Sequence, residues 1–558
     1  MIRQVLRVSA TETGTYRTVS QALAAAPDGA VIAVAPGTYT ESLTISRAVT
    51  LSGDGTPGSV RLESPMGSTV VVEADAVRLT GLTLHGSDAD AAVLDIRRGQ
   101  TAVENCTVAG DQAWAAVIAW QSGHLAARNC TVTNPGGAGV VVTSPADNTL
   151  EDTAARDFGS SAVVVAENGR LTVRGCTVER SGGNGICVNG QGAVTVENTT
   201  VADSRKPAVV VEQDARAELM RTTVTSSASL DAYLTSKGMT TLIDCRLTGS
   251  GGQSLHIGGG ASPRLRGCTL DSAAASGVQV TGGSTPRLED CAITGTPLAV
   301  IVEDGSRAEF HRLRISGAQR TAVQLGGEAA AEFRELSVGD GSAGLRVTGS
   351  AQLTLKAGEI EAERGTGLEA NEGATVLLTD VRLRATGDWG LAVSGGARIA
   401  AADSSVTGAG VLVGTDGEAL LRDSEVSGTA GDGARVLGGG TLIATGCRVH
   451  EAQGHGVNVQ ISGRADLTDC LITGNVGDGV RSNSEEPVLV QHCDVSGNGG
   501  GQVNRLRSQD GVPASAGAAE PAGEPAPGRT VPRRTGAGWR PAPQARWPNS
   551  TPWSAWRA

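Results

Sequence analysis

Three residues stand at a spacing that could do acid–base chemistry. Asp432, His455 and Asp478 lie 23 residues apart, each immediately before a glycine (Gly433, Gly456, Gly479), and two residues past each glycine come Arg435, Asn458 and Arg481. If residues 23 apart stack one above another, two carboxylates flank an imidazole. Such flanking favours the charged ring and would make it a stronger base, suited to general acid–base catalysis. Arg435, Asn458 and Arg481 would then project beside it as ligand-binding groups. The competing reading is that Asp and His simply suit a polar turn before glycine on a solvated edge. Neither reading calls for a cofactor. A metal or redox site has no support, because Cys-x-x-Cys is absent.

What must position those residues is whatever sets the 23-residue step. The element [Cys/Thr/Ser]-x-[Val/Ile/Leu] recurs at Cys106, Cys130, Thr153, Cys176, Thr199, Thr222, Cys245, Cys268 and Cys291, and again at Ser404, Ser424, Cys447, Cys470 and Cys493. From Cys106 to Cys493 there are 17 steps, 13 of them 23 residues long and the others 20, 22, 22 and 24. A second element keeps the same beat, as in Gly139-Val-Val-Val, Gly185-Ile-Cys-Val and Gly456-Val-Asn-Val. A third, as in Ala193-Val-Thr-Val, completes most units. Three short strands with Gly-, Asn- and Asp-rich corners use up the repeat and leave no room for a helix. The unit is one coil of a parallel β-helix, each strand pairing with its copy in the next coil. Equivalent residues then sit roughly 4.8 Å apart, so about 19 coils would make a rod on the order of 90 Å long.

Stacking makes columns of like residues. Nine of the ten cysteines share one column, with Cys187 elsewhere. Reduced cysteines packed as small apolar residues are expected, the alternative being disulfides between stacked neighbours such as Cys245 and Cys268. The outward place of the second strand reads Ile118, Val141, Val164, Cys187, Val210 and Tyr233, then His256, Gln279, Ile301, Gln324, Arg346 and Glu369. An apolar row of that length should be covered, by a loop of the chain or by a protein partner, so Ile118, Val141, Val164, Val210 and Tyr233 are candidate interface residues. Trp114 and Trp120 lie near its start, as core or as sugar-stacking platforms.

The net charge of −12 argues against a nucleic-acid surface, which needs clustered Lys and Arg. No segment has the apolar length of a signal peptide or a membrane span, so no membrane partner and a cytoplasmic location are expected. At the N-terminus, Thr18-Val-Ser-Gln21 reads as a capping box that opens a helix from Thr18 to Ala26, with Val19, Ala22, Leu23 and Ala26 on one face over the first coil.

The stretch TYRTVSQALAAAPDGAVIAVAPGTYTESLTISRAVTLSGDG resembles the N-terminal cap and first coils of right-handed parallel β-helix proteins of the pectin lyase-like superfamily. With the repeats, the resemblance covers about residues 10 to 500. It implies an all-β fold: a single right-handed parallel β-helix with a short N-terminal capping helix and a disordered C-terminal tail. Residues 1–45 would be the cap and first coil, 46–500 the repeats, and 501–558 the linker and tail. The superfamily holds pectate lyases, polygalacturonases, pectin methylesterases, alginate epimerases and repeat proteins without known activity, so it leaves function open. The Asn-Thr-Asp and Arg-Ile-Lys of polygalacturonases are missing here, as is the Asp-Pro-His of alginate epimerases. The dipeptides His85-Gly86 and His455-Gly456 are too short to carry a role across.

After Gly501 the period stops. The last 34 residues hold six arginines and four of the seven tryptophans, with no acidic residue after Glu524. A basic, aromatic binding tail is one reading. The other comes from writing Trp547 to Trp556 in GC-rich codons and moving the frame back one base, which gives Leu-Ala-Glu-Leu-Asp-Ala-Leu-Val-Gly-Leu. That string resembles the segment leading into the AAA+ ATPase domains of some bacterial β-helix repeat proteins, so the tail would be a frameshifted remnant. The functional expectation is a non-catalytic β-helix module binding a protein partner or an extended polymer such as a polysaccharide, with a link to an AAA+ ATPase. The alternative is an enzyme acting on an acidic polysaccharide, which the net negative charge would oppose unless a local basic groove intervened.

Overall fold

The computed structural model describes residues 4–486 and 488–505, and apart from one short helix every regular element is a strand. The strands form three parallel sheets wound around one continuous apolar core, each strand paired with its copy one turn later. Among the described residues no helix is long and apolar enough to cross a membrane.

Each turn depends on one corner. A residue at positive φ bends the chain just before the Cys/Thr/Ser column: Asn105 (52°), Asn129 (51°), Asp152 (47°), Asn198 (47°) and Asp244 (52°). Asn and Asp enter this left-handed region because their short side chains bond locally, and Gly175 enters it because it has no Cβ. The next residue turns inward and is buried, as at Cys106, Cys130, Thr153, Cys176 and Thr199.

That column does more than fill space. Thr199 Oγ1 donates to the Glu197 carbonyl at 2.9 Å, and Cys176 Sγ donates to the Arg174 carbonyl at 3.3 Å. The same heteroatom accepts the backbone N–H of the column residue one turn earlier. Cys176 N–H reaches Thr199 Oγ1 and Cys130 N–H reaches Thr153 Oγ1, both at 3.3 Å, and Ser404 N–H reaches Ser424 Oγ at 3.2 Å. Cys, Thr and Ser exchange here because each carries a γ atom that can donate and accept. Treating the cysteines as small apolar filler therefore left out half of their role. All ten cysteines are free. Burial pushes the Cys106 thiol up to about 12 and Cys176 up to about 11, so neither supplies a thiolate near neutrality.

Inside, like again stacks on like. Phe310 and Phe333 lie ring on ring with centroids 4.5 Å apart, and Ser181 Oγ donates to Ser204 Oγ at 3.0 Å. Near the C-terminal end Asn475 Nδ2 donates to Asn498 Oδ1 at 2.9 Å.

The ends refine the expected boundaries. The helix runs Val19–Ala25, with Thr18 as N-cap accepting the Gln21 N–H; Val19 and Ala22 are buried, and Leu23 packs against the core. Glu41 holds its start, accepting the N–H groups of Val19 and Ser20 at 2.8 and 2.9 Å. There are about 22 turns rather than about 19. The early strands Gly37–Thr40 and Val60–Ser64 already belong to the column sheet, but they bury Tyr39 and Leu62 and lack the small-residue motif. At the other end Val503–Arg505 pairs with Val480–Ser482, so the β-helix runs past 500. The expected tail and its ATPase link concern residues that, beyond Arg505, lie outside the described ones.

Replacing Thr199 by Val should lower the stability of the purified protein by about 1 kcal/mol, because Cys176 N–H loses its acceptor. Replacing it by Ser should cost less. Urea midpoints of the two variants check this, and equal losses would show that the column acts by size alone.

Candidate functional site

The three candidate residues sit at the entry to the Gly strands. Ala434–Val436, Val457–Val459 and Val480–Ser482 are neighbours in one sheet, with Arg435, Asn458 and Arg481 in register. The structure therefore brings all six residues together. Glycine is needed just inside each strand, because a Cβ on Gly456 would lie 2.6 Å from Ile472 Cγ2 and from the Gly479 carbonyl oxygen.

The contacts show what the three side chains do. Asp432 Oδ1 accepts the backbone N–H of His455 at 2.9 Å. His455 Nδ1 accepts the backbone N–H of Asp478 at 2.9 Å, and Asp478 Oδ1 accepts that of Gly501 at 2.6 Å. Each thus satisfies the corner of the following turn. A backbone N–H can only donate, so Nδ1 of His455 takes this bond with its lone pair. The carboxylate nearest the ring, Asp478 Oδ2, is 3.5 Å from Nδ1, while a guanidinium nitrogen of Arg481 lies 3.2 Å from Nε2. In place of the expected carboxylate–imidazole–carboxylate relay there is a ladder of side chains bonded to backbone, a turn role as in the competing reading but at buried or half-buried rather than solvated positions.

Asp432 is buried, its side chain 4% exposed, and its other oxygen accepts from Arg435 Nε and Asn458 Nδ2, each at 2.8 Å. Burial works against its charged form, but the hydrogen bonds from His455, Asn458 and Arg435 outweigh it and hold the carboxyl below its usual range. Asn458 is itself buried and committed to Asp432 through its amide nitrogen, which leaves it a smaller share in ligand contact than its register place suggested. Arg435 and Arg481 are the outward groups. Arg435 lies over the Trp389 ring, 5.4 Å from its centroid, and no carboxylate pairs with Arg481 among the described residues.

Farther toward the N-terminus the same column continues as the expected row, Ile118, Val141, Val164, Cys187, Val210, Tyr233 and His256, in unbroken register. It is not a bare apolar face. Val141, Val164 and Val210 are already buried within this chain, and Ile118 and Tyr233 are half-buried. At strand spacing each branched side chain covers its neighbours above and below, so the row needs no partner to leave water. Trp120 at its start donates its indole N–H to Asp95 at 2.7 Å.

Where the row turns polar there is a cluster that residue spacing did not single out. Tyr233 stacks on His256 with centroids 5.1 Å apart, Glu212 stands beside Tyr233, and Gln279 donates to Glu303 at 2.6 Å. Burial raises the Glu212 carboxyl above its usual range and, against a hydrogen bond with Gln279, lowers His256 below its own. Tyr233 thus stands between a carboxyl and an imidazole that burial shifts in opposite directions, a pattern met at acid–base sites. Glu212 escaped notice because it lies two places past the outward row, where no period marks it.

The family described as right handed beta helix region matches residues 91–227, 184–297 and 409–512, together more than half of the chain. No curated protein matches it. Among solved structures it is similar to pectin methylesterase from Erwinia chrysanthemi at 14% identity, over 37% of this chain and 81% of that one, with a TM-score of 0.27. The catalytic domain of a GH87 alpha-1,3-glucanase aligns at 14% identity over 57% and 66%, with a TM-score of 0.39. A PL6 family alginate lyase aligns at 11% identity over 90% and 100%, with a TM-score of 0.26.

His455→Ala should destabilise the protein by about 1–2 kcal/mol, because Asp478 N–H loses its acceptor; His455→Asn, which can still accept, should recover part of that. Thermal melts of the two variants test the ladder. For Asp432, whose carboxyl is held low, the stability it lends is present above pH 4 and lost as pH falls through its depressed folded value. Melts of Asp432→Asn should therefore show less acid sensitivity below about pH 4 than wild type.

Proposed function

The chain belongs to the right-handed β-helix family, and on that scaffold we propose that it is a binding module for an extended acidic polysaccharide laid across successive turns between Arg435 and Arg481. The observation that carries this reading is the state of Arg481. It is an outward guanidinium whose only near partner among the described residues is a ring nitrogen, in register two turns from Arg435. Turns repeat at about 4.8 Å, close to the length of one sugar residue, so a polymer running along the axis meets an equivalent position with each unit. Guanidinium groups hold carboxylates through paired N–H donors, and Arg435 is held in place over the Trp389 ring. The nearby Asp432, His455 and Asp478 are spent on backbone, which supports binding over catalysis at this place. The link to an AAA+ ATPase finds no support in the comparisons. A protein partner on the Ile118 to Tyr233 row has less in its favour because the middle of the row is already covered.

A second reading has one specific observation behind it. In the Glu212, Tyr233 and His256 cluster burial raises a carboxyl and lowers an imidazole, shifts of the kind an enzyme acting on the same polymer would use. The solved β-helices that the chain resembles include an esterase, a glucanase and a lyase, and their likeness supplies the scaffold only.

Calorimetric titration with oligomers of galacturonate and of alginate, alongside a neutral glucan, decides between these outcomes. Binding of an acidic oligomer that weakens about tenfold or more in Arg481→Ala, and weakens with salt, is expected. Arg98→Ala, at a surface pair with Asp75 far along the chain, should change nothing. If the acidic oligomers fail to bind, or Arg481→Ala binds as wild type does, the proposal is wrong. Release of shortened or de-esterified product that stops in Glu212→Gln would establish the second reading instead.

A further inference from the structure

The Gly strands are entered through a column that admits only small residues. In successive turns it reads Gly185, Ala208, Asp231, Ser254 and Gly277, placed by the register of the strands that follow. The side chain of this column points inward: a Cβ on Gly185 would lie 2.4 Å from Val201 Cγ1 and 3.0 Å from Ser204 Oγ. One member of the column is a carboxylic acid. Asp231 is 0% exposed, and neither of its oxygens has a hydrogen-bond partner at normal geometry. The buried hydroxyls of Ser227 and Ser254 are its polar neighbours, and they too lack partners.

A buried carboxylate without a cation or donors is among the costliest groups a core can hold, and the inexpensive alternative is to keep the proton. As the neutral acid, Asp231 has one O–H to donate and oxygens to accept, which with two serine hydroxyls makes a set able to satisfy itself after small rotations. No charged group contributes at the site. Glu212 and His256, whose shifts burial sets in the adjoining turns, belong to the outer cluster, and Asp231 enters the balance of neither.

We propose that Asp231 is a proton-binding residue of the core: the fold holds its carboxyl as the neutral acid, and loss of that proton to bulk water loosens the turns that carry Tyr233 and His256. Tyr233 lies two residues on, in the strand Ala232–Leu234 that Asp231 immediately precedes, and His256 is its partner in the next, so proton occupancy inside bears on the outer cluster. This holds whether or not the chain binds a polysaccharide.

The direction follows from linkage. Burial raises the Asp231 carboxyl from an ordinary 3.8 to about 7, with the nearby Ser227 and Ser254 acting weakly against the rise. Between those two values the folded chain keeps a proton that the unfolded chain releases. Stability is therefore full below the lower value, falls as pH rises through the window, and levels off above the upper one. The fall is about tenfold in the folding equilibrium for each pH unit.

The test compares wild type with Asp231→Asn by hydrogen exchange of the segment 224–257, each at pH 5 and pH 8. Taking the ratio of the two proteins at each pH cancels the intrinsic exchange rate. Wild type should lose protection relative to the variant by on the order of a hundredfold or more between the two conditions, with turns near the N-terminus unchanged. Equal ratios at both values would overturn the proposal. If Asp231→Asn does not fold, Asp231→Ser, which copies Ser254, takes its place. The infrared carboxylic-acid band of wild-type protein gives a further readout. It should be present in wild type at pH 6 and reduced in the variant, and a spectrum unchanged by the substitution would equally count against a protonated Asp231.

Discussion

Parallel strands that stack in register at about 4.8 Å force every side chain to live beside its counterpart of the next turn. The rest of this structure is an answer to that constraint. Two like charges at that distance repel, so on the outer surfaces opposite charges alternate: Arg174 sits between Glu151 and Glu197, and Arg180 pairs with Asp157 one turn before. Aromatic rings tolerate the spacing when flat, as Phe310 and Phe333 do. Polar side chains at corners tolerate it by serving the adjacent backbone. The Cys/Thr/Ser column and the Asp432, His455 and Asp478 ladder both follow that last rule.

The same rule says which groups are free to do something else. A side chain bonded to the next turn's N–H is part of the frame and has little capacity left for a substrate. By that measure the most suggestive trio in the chain belongs to the frame, while Arg481, Glu212 and Asp231 remain uncommitted. Their environments differ. Arg481 is half-exposed and can wait for an anion, Glu212 is half-buried and keeps its proton more firmly than usual, and Asp231 is enclosed with two hydroxyls.

Much of the fold was legible in the repeat. The 23-residue step, the alternation within Gly-Val-x-Val and the capping box at Thr18 each have a single physical reading, and the strands, their register and the helix agree with it. The first turns were harder, because the place held by Cys, Thr or Ser in later turns is taken there by Gly37, Val60 and Leu82. The site was legible only as an arrangement. Spacing placed Asp432, His455 and Asp478 one above another, but whether a side chain turns to a neighbouring backbone or to solvent is decided by corner geometry that spacing does not encode. Asp231 was visible as an acid among Gly, Ala and Ser; its meaning depends on that column facing inward, which the clash of a Cβ at Gly185 with Val201 makes plain.

On the reading proposed above, the outer side of the Gly strands, in the turns from Trp389 to Arg481, is where this β-helix meets its ligand. The measurement that tests it most directly is a hydrogen-exchange footprint of the protein with and without a saturating acidic hexasaccharide. Added protection is expected in the segments around Trp389, Arg435 and Arg481, with little change on the other two sheets. Protection confined to another sheet, or none anywhere at saturation, would contradict it.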